Sequence, residues 1–468
     1  MAKDLAWFSA VKLLKGYKKR RFSPVEVASA VLDRIASRNG ELNAFCHVDA
    51  EGALDAARAS ERRWAKGEPR GRLDGVPVSI KDLILTAGMP TLRGSQTIDR
   101  HQPFDIDAPV VARLKENGAI ILGKTTTPEF GWKGVTDSPL TGITRNPWDR
   151  TKTPGGSSGG AAVAVATGMG PLAIGTDGGG SIRIPAGFTG IFGLKPSFGR
   201  VPAWPLSPFG TVAHIGPMAR SVEDAAIMLN VISEPDPRDW HALPYDGRDF
   251  AAGLYKGIEG FRIAFSPSLG HAEVDPEVAR AVRQAVRVLR ELGAKVEEVD
   301  PGFADPLPEF RVLWWSGARA VAAGIPEAKR HLFERDFADV VSSASSISLD
   351  DYLGAVARRG QLGAAMRQFM ARFDLLVTPT LPIPAFETGK LAPKVDDNGK
   401  WVNWTPFTYP FNLTQQPAAS ICCGFTRKGL PVGLQLVGRM FDDHTVMRSA
   451  FAYEQATNWR RQHPPLAA

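Results

Sequence analysis

Pro154-Gly155-Gly156-Ser157-Ser158-Gly159-Gly160 and Gly175-Thr176-Asp177-Gly178-Gly179-Gly180-Ser181 are the two stretches that decide how this sequence folds. The first runs directly into the apolar segment 161–166, which predicts a buried helix, and Leu172-Ala173-Ile174 before the second predicts a short strand. Both stretches are therefore expected to be short loops at the ends of ordered elements, although a flexible linker and a simple tight turn are the alternatives. Glycine in such loops allows φ above zero and lets backbone N–H groups converge.

Strands and helices alternate on both sides of these loops. The capping sequence Ser23-Pro24-Val25-Glu26 predicts a helix that ends at Asn39-Gly40. Further helices are predicted at about 49–66, 109–117, 275–289 and through most of 300–370, and strands at 75–80, 119–122, 261–265, 294–296 and 375–380. Segment 386–403 is predicted to be a polar surface loop. The alternation predicts an α/β fold: one large α/β/α body with a central mixed sheet flanked by helices and a helical insertion in the second half.

Composition and charge exclude several other classes of protein. The 468 residues include 47 glycines and 36 prolines, a surplus that is concentrated partly in the two loops. The net charge of +7 has one dense run, Lys18-Lys19-Arg20-Arg21, which is expected to be a solvated helix end rather than a nucleic-acid patch. Three cysteines do not form a disulfide framework, which favours a reducing, cytoplasmic setting. No apolar run is long enough to predict a membrane span.

Serines beside consecutive glycine N–H groups favour acyl-transfer chemistry, because a tetrahedral intermediate develops an oxyanion that preorganised donors must meet. Nucleotide binding is disfavoured, since neither stretch matches a P-loop or the G-x-G-x-x-G pattern. No G-x-S-x-G motif supports a Ser-His-Asp triad. A neutral lysine can replace histidine as the base where apolar surroundings lower its pKa, and Lys81 follows Ile80 and precedes Leu83-Ile84-Leu85. Taken alone, Lys81 also fits a snorkelling surface lysine.

Several motifs in combination resemble the amidase signature family. They are Val78-Ser79-Ile80-Lys81-Asp82, the two glycine stretches with serines 24 residues apart, Gly193-Leu194-Lys195-Pro196, Thr378-Pro379-Thr380 and the segment 429–435. The resemblance implies one amidase signature domain over 1–468, with a variable, partly helical specificity region at about 240–410.

A Ser-cisSer-Lys triad is the catalytic machinery that this resemblance implies. Ser181 would be the nucleophile, Ser157 the bridging serine after a cis peptide bond, and Lys81 the base. Gly178, Gly179 and Gly180 would supply oxyanion-hole N–H groups. Ser158, Asp177 and Arg183 would have supporting roles, the last two as a buried ion pair or loop anchors. No metal and no cofactor are expected.

Three functions are compatible with the sequence. The first is a stand-alone amidohydrolase for an aryl or alkyl amide, with esterase side activity. The second is the glutaminase subunit of a tRNA-dependent amidotransferase, in which the residue at the position of Ile184 is typically Gln. The third, of another class, is a non-catalytic basic protein that binds nucleic acid. The aromatic segment 401–407 hints at an apolar substrate, although packing is its more common role.

The expected partner is a small-molecule amide, with neither nucleic acid nor membrane, and a homodimer is an open alternative. Substrate specificity is expected to arise from the loops near 131–146 and from the region after about residue 300.

Overall fold

A computed structural model describes residues 4–394 and 400–465. Thirteen strands are present in these ranges: β1 Phe45–Val48, β2 Pro77–Lys81, β3 Ile120–Thr125, β4 Asp137–Ser138, β5 Gly142–Ile143, β6 Leu172–Asp177, β7 Phe192–Lys195, β8 His214–Ala219, β9 Arg262–Phe265, β10 Lys295–Glu298, β11 Leu375–Pro379, β12 Ala418–Phe425 and β13 Pro431–Gly438. The α-helices are α1 Ala10–Lys18, α2 Pro24–Leu42, α3 Ala50–Lys66, α4 Pro109–Glu116, α5 Gly159–Ala166, α6 Arg183–Thr189, α7 Val222–Ile232, α8 Pro276–Glu291, α9 Leu307–Ala323, α10 Arg335–Ser343, α11 Leu349–Met370, α12 Pro410–Leu413 and α13 Asp443–Ala456.

Eleven of the strands form one central sheet, in the order β1-β3-β2-β6-β8-β7-β12-β13-β11-β9-β10. The sheet is mixed: β2 is parallel to both β3 and β6, whereas β8, β7, β12 and β13 pair antiparallel with their neighbours. Helices pack against its strands, among them α5 on β6 and α8 and α13 on β12. The predicted α/β class with a mixed, helix-flanked sheet is confirmed, and α9, α10 and α11 form the predicted helical region.

The N-terminal helix α2 begins as predicted and ends later than predicted. Ser23 Oγ accepts the Glu26 N–H at 3.2 Å, and the Glu26 carboxylate accepts the Ser23 N–H at 2.7 Å, so both halves of the capping box are present. The helix continues through Gly40 to Leu42 and stops at Asn43, which adopts a left-handed φ of 52°. Burying Leu42 outweighs the roughly 1 kcal/mol that one glycine costs inside a helix.

The polar surface loop predicted for segment 386–403 is correct for Gly389, Lys390 and Lys394, which are exposed and lie outside helices and strands, but wrong at its end. Trp401 and Val402 are completely buried in a short 3₁₀ turn, Trp401–Trp404, because the apolar area of these side chains outweighs the polar residues around them. The polar residues 395–399 lie outside the described residues.

Two smaller expectations concern charge and cysteine. The basic run 18–21 is exposed at the end of α1, as predicted. All three cysteines are free thiols. Among the described residues, none of the helices has both the length and the apolar composition needed to cross a membrane.

Candidate active site

The carboxyl ends of two parallel neighbouring strands, β2 and β6, bring the candidate residues together. Val78 pairs with Leu172 and Ile80 with Ile174, so Lys81 at the end of β2 lies beside the last residues of β6. Strand β6 ends at Asp177 and leads directly into the glycines and Ser181. Parallel strands place such ends at one edge of the sheet, which is where sites form in α/β proteins.

Lys81 lies completely buried among three hydroxyl groups. Its Nζ is 2.7 Å from Ser157 Oγ, 2.8 Å from Ser158 Oγ and 2.9 Å from Thr176 Oγ1. Desolvation lowers the pKa of Lys81 well below its usual value, although the charge of nearby Asp177 opposes this effect. The snorkelling alternative is therefore wrong, and Lys81 is an amine that burial favours in its neutral form.

The hydroxyl of Ser158 acts as a fixed partner in this group. Its proton is donated to the Thr176 carbonyl at 3.1 Å, and its oxygen accepts the Thr176 N–H at 3.2 Å. Towards Lys81 it can therefore only accept a hydrogen bond. The Ser157 hydroxyl makes no hydrogen bond other than the one with Lys81 among the described residues. It is therefore free to donate its proton to the lone pair of a neutral Lys81.

The loop before α5 holds both serines in close contact with the rest of the site. The Gly156–Ser157 peptide bond is cis, and the Ser158 N–H donates to the Ser181 carbonyl at 3.1 Å. A Cβ at Gly156 would lie 2.5 Å from the Val135 carbonyl oxygen. Close backbone approach therefore requires this glycine, and the loop is a packed structure, as predicted, rather than a linker.

The glycines at 178–180 are required mainly by packing against aromatic rings. A Cβ would lie 2.7 Å from the Trp314 ring at Gly178, and 2.7 Å and 2.9 Å from the Phe310 and Trp401 rings at Gly179. Only Gly180 has a positive φ, +129°. The expectation that these glycines serve backbone conformation is thus correct for Gly180, whereas the other two make room for the rings.

Asp177 and Arg183 form a completely buried ion pair, the supporting arrangement expected from the sequence. The guanidinium Nη2 is 2.9 Å from Asp177 Oδ1 and Nε is 3.0 Å from Oδ2. Arg183 also donates to the Gln435 side chain at 2.8 Å and to the Asn412 side chain at 2.6 Å. The positive charge of Arg183 and its hydrogen bonds hold the pKa of Asp177 below its usual range, against desolvation, the largest single effect.

The same carboxylate accepts backbone N–H groups of the loop. Gly180 donates to Asp177 Oδ1 at 2.8 Å, and Ile182 donates to Oδ2 at 3.2 Å. Within residues 4–394 and 400–465, the N–H groups of Gly178, Gly179 and Ser181 make no hydrogen bond. Of the three glycines predicted as oxyanion donors, Gly180 therefore has its N–H already engaged.

A cavity of about 220 Å³ opens onto these groups and is lined by Ser157, Ser181 and Thr176. Its apolar wall consists of Leu83, Phe130, Trp204, Leu206, Phe209 and Trp314. The aromatic segment 401–407 does not line it, so that hint of an apolar substrate is better explained by packing. Gly131 is the residue of the 131–146 loops that lines the cavity, whereas the segment 197–215, which no sequence motif marks, supplies much of the wall.

His214 lines the cavity as a neutral, buried group. Its Nδ1 lies 2.8 Å from the Val212 carbonyl and 3.2 Å from the Asp177 carbonyl, so Nδ1 carries the proton. Desolvation and the neighbouring Lys195 lower the pKa of His214 well below its usual value. In the described ranges, no three His, Cys, Asp or Glu side chains come together to hold a metal ion.

Comparison with known proteins assigns the family. The Amidase family model matches residues 26–447. The chain is 37% identical to a glutamyl-tRNA(Gln) amidotransferase subunit of Gloeobacter violaceus, over 95% of this chain and 96% of that protein. It is 35% identical to an acylamidase of Rhodococcus erythropolis over 98% of each chain. A bacterial aryl acylamidase structure superposes with a TM-score of 0.90 at 32% identity over 97% of each chain. The chain therefore belongs to the amidase signature family, whose members are hydrolases of amide C–N bonds.

Proposed function

We propose that this enzyme hydrolyses the amide of an aryl or alkyl amine through an acyl-enzyme on Ser181, with Ser157 as proton relay and neutral Lys81 as base. The proposal rests above all on the 2.7 Å contact between Lys81 Nζ and Ser157 Oγ at a completely buried site. Burial lowers the pKa of this amine well below its usual value, which is the direction that a lysine acting as a general base requires.

In the proposed acylation step, protons pass between Ser181, Ser157 and Lys81. Ser181 Oγ attacks the amide carbon as its proton passes to Ser157 Oγ, and the proton of Ser157 passes to Lys81 Nζ. When the tetrahedral intermediate collapses, the C–N bond breaks and the proton returns from Lys81 through Ser157 to the leaving nitrogen. Water repeats the sequence on the ester and releases the carboxylic acid. Esters form the same acyl-enzyme, which is the reason for proposing an esterase side activity.

The oxyanion of the intermediate would be met by the N–H groups of Gly178, Gly179 and Ser181, which have no other acceptor among the described residues. Gly180 would act differently from the other glycines. Its N–H bond to Asp177 fixes the shape of the loop, so we propose an indirect role for it.

Two observations support an aryl or alkyl amide as the substrate: the residues of the cavity wall and the names of similar proteins. The apolar lining fits an aryl or alkyl group, and relatives named acylamidase and aryl acylamidase favour a stand-alone hydrolase. We further propose that the whole chain is one amidase signature domain. Trp314 and Val321 of its 240–410 region line the cavity together with residues of the segment 197–215, and we propose that these residues contact the substrate.

The glutaminase subunit of a tRNA-dependent amidotransferase is the second candidate, favoured by the 37% identity with a protein of that kind. A substrate panel separates the two: glutamine, aliphatic amides, anilides and carbamates, each with and without the partner subunits of such an amidotransferase. The stand-alone proposal predicts turnover of anilides by the chain alone. Turnover of glutamine only, and only in complex, would overturn it.

Variants on one strand test the base. We expect Lys81→Ala to lower kcat for an anilide by about 10²- to 10⁴-fold, the contribution of a positioned base. Ser79→Ala is the matched control, since this buried hydroxyl on β2 makes no hydrogen bond with any described residue. Its removal should leave kcat within about twofold. Equal losses in both variants would show that packing of β2, and not the amine, matters.

A further inference from the structure

Arg93 lies in the cavity wall next to the catalytic group, held there by its backbone. Its N–H donates to the Asp82 carbonyl at 3.1 Å, and its carbonyl accepts the Phe130 N–H at 2.7 Å. Asp82 directly follows Lys81. Phe130 precedes Gly131, where a Cβ would lie 3.2 Å from Ser157 Oγ. Arg93 therefore connects the two backbone segments on either side of the Lys81–Ser157 pair.

Arg93 is one of the residues that line the cavity, and its side chain is unpaired within the described part of the chain. Among residues 4–394 and 400–465, nothing forms a hydrogen bond or ion pair with its guanidinium, which has five N–H donors. The side chain is partly buried, and this desolvation lowers the pKa of Arg93, although the charge of Asp82 opposes the effect. A cation in that position is costly unless an acceptor meets it.

The acidic side chain that acts on Arg93 is that of Asp82, and its carboxylate binds other groups. The Asp82 carboxylate accepts the N–H groups of Leu92 at 3.2 Å and of Gly94 at 3.3 Å, and it lies 3.9 Å from Lys124 Nζ. These contacts fix the loop that carries Arg93 and leave its guanidinium unpaired.

The other charged or titratable side chains in the cavity wall are either hydrogen-bonded to the protein or uncharged, or they pack against a ring. Asp239 accepts the Ala203 N–H at 2.8 Å and the His241 N–H at 2.8 Å, so both carboxylate oxygens are engaged. His214 is neutral, and His241 carries a ring against Trp240. Among the described residues that line the cavity, Arg93 is thus the one arginine or lysine, and its guanidinium makes no hydrogen bond or ion pair.

We propose that Arg93 binds a carboxylate of the substrate, so that this enzyme prefers amides that combine an apolar body with an acidic group. The planar guanidinium fork matches a carboxylate in a bidentate geometry, and the surrounding wall of Leu83, Phe130 and Trp314 fits the apolar part. This inference rests on the proposed amidase function and names the substrate class for it.

Paired anilides test the inference, one pair for each side of the scissile bond. Succinanilate is compared with butyranilide, and 4-acetamidobenzoate with 4-methylacetanilide. We expect kcat/KM to be at least about tenfold higher for the acidic member of one pair, the effect of a charge-assisted hydrogen bond. Arg93→Gln should reduce that ratio to near one, and Arg93→Lys should retain part of it. The control Arg100→Gln, an exposed arginine on the same segment, should leave the ratio unchanged.

Two results would overturn the inference while leaving the amidase proposal intact. One is a wild-type preference for the neutral member of both pairs, and the other is an equal loss for acidic and neutral members in Arg93→Gln, which indicates a structural role only. If neither anilides nor alkyl amides are hydrolysed, the amidase proposal fails, and binding decides the role of Arg93 separately. Calorimetric titration of succinanilate and of 4-acetamidobenzoate into Ser181→Ala should show that at least one of them binds, and that this binding is lost in Ser181→Ala/Arg93→Gln. If neither anion binds, or if binding is independent of Arg93, the inference is overturned.

Discussion

Replacing Arg183 by methionine should destabilise the protein because it isolates a buried carboxylate. Asp177 and Arg183 are both completely buried, and two hydrogen bonds of 2.9 and 3.0 Å join them. Arg183→Met removes the guanidinium and keeps a side chain of comparable length. Asp177 then retains the N–H groups of Gly180 and Ile182 and the amide of Asn412, but it loses the charge that compensates its own.

Breaking a buried ion pair from one side costs about 3–5 kcal/mol, because the remaining charge stays in a medium of low dielectric constant. For a chain of 468 residues the unfolding entropy is about 1 kcal/mol/K, from about 2.1 cal/mol/K per residue. The expected fall in Tm is therefore about 3–5 °C. The double variant Asp177→Asn/Arg183→Met has no unpaired charge, so its Tm should be no lower than that of Arg183→Met.

Differential scanning calorimetry at one scan rate and pH 7.5 gives the four Tm values needed. They are those of the wild type, Arg183→Met, Asp177→Asn and the double variant. A matched activity assay shows whether loosening Asp177 also lowers kcat through the Gly180 loop. If the losses of the two single variants add in the double variant, or if Arg183→Met shifts Tm by less than about 1 °C, Asp177 does not depend on Arg183 for charge compensation.

Three further outcomes follow from the site. Gly131→Ala should lower kcat at least about tenfold, because its methyl group would lie 3.2 Å from Ser157 Oγ. Gly88 has a similar positive φ but open space around it, so the control Gly88→Ala should leave kcat unchanged. Equal losses of kcat in the two variants would contradict this explanation. Since burial lowers the pKa of Lys81, kcat/KM should rise with pH and reach its plateau well below pH 10.5. The stability of the wild type relative to Lys81→Met should rise with pH up to about 10.5, because the unfolded state binds the proton of this lysine more tightly. A rise of kcat/KM that is centred near pH 10.5 would contradict the lowered pKa. Trp401→Ala should lower Tm by about 3–5 °C through cavity formation while KM stays within about twofold, because the ring does not line the cavity.

The central part of the site was predictable because its residues lie in two short, locally determined stretches and at one strand end. A strand that leads into glycines and a serine, and a lysine at the end of another apolar strand, are local patterns. Parallel pairing of β2 with β6 then brings Lys81 next to Thr176 without further information. The α/β alternation and the capped helix α2 were predictable for the same reason.

The remaining features depend on contacts between distant parts of the chain. Asn412 and Gln435 reach Arg183 across 229 and 252 residues, so no local signal marks them. Trp401 is surrounded by polar residues in the sequence, yet it packs on Phe310 and Trp314 of α9 and is buried there. The left-handed φ of Arg93 and its unpaired guanidinium are likewise visible only once the cavity wall is assembled.

The proposed mechanism requires Ser181 to be the covalent nucleophile, which can be checked by trapping the acyl-enzyme. The wild-type enzyme is quenched in acid within its first turnovers of a rapidly acylating ester or anilide, digested and analysed by peptide mass spectrometry. We expect the acyl mass on the peptide that contains Ser181, and its absence in Ser181→Ala. Acylation of another residue, or full amide hydrolysis by Ser181→Ala, would contradict the mechanism.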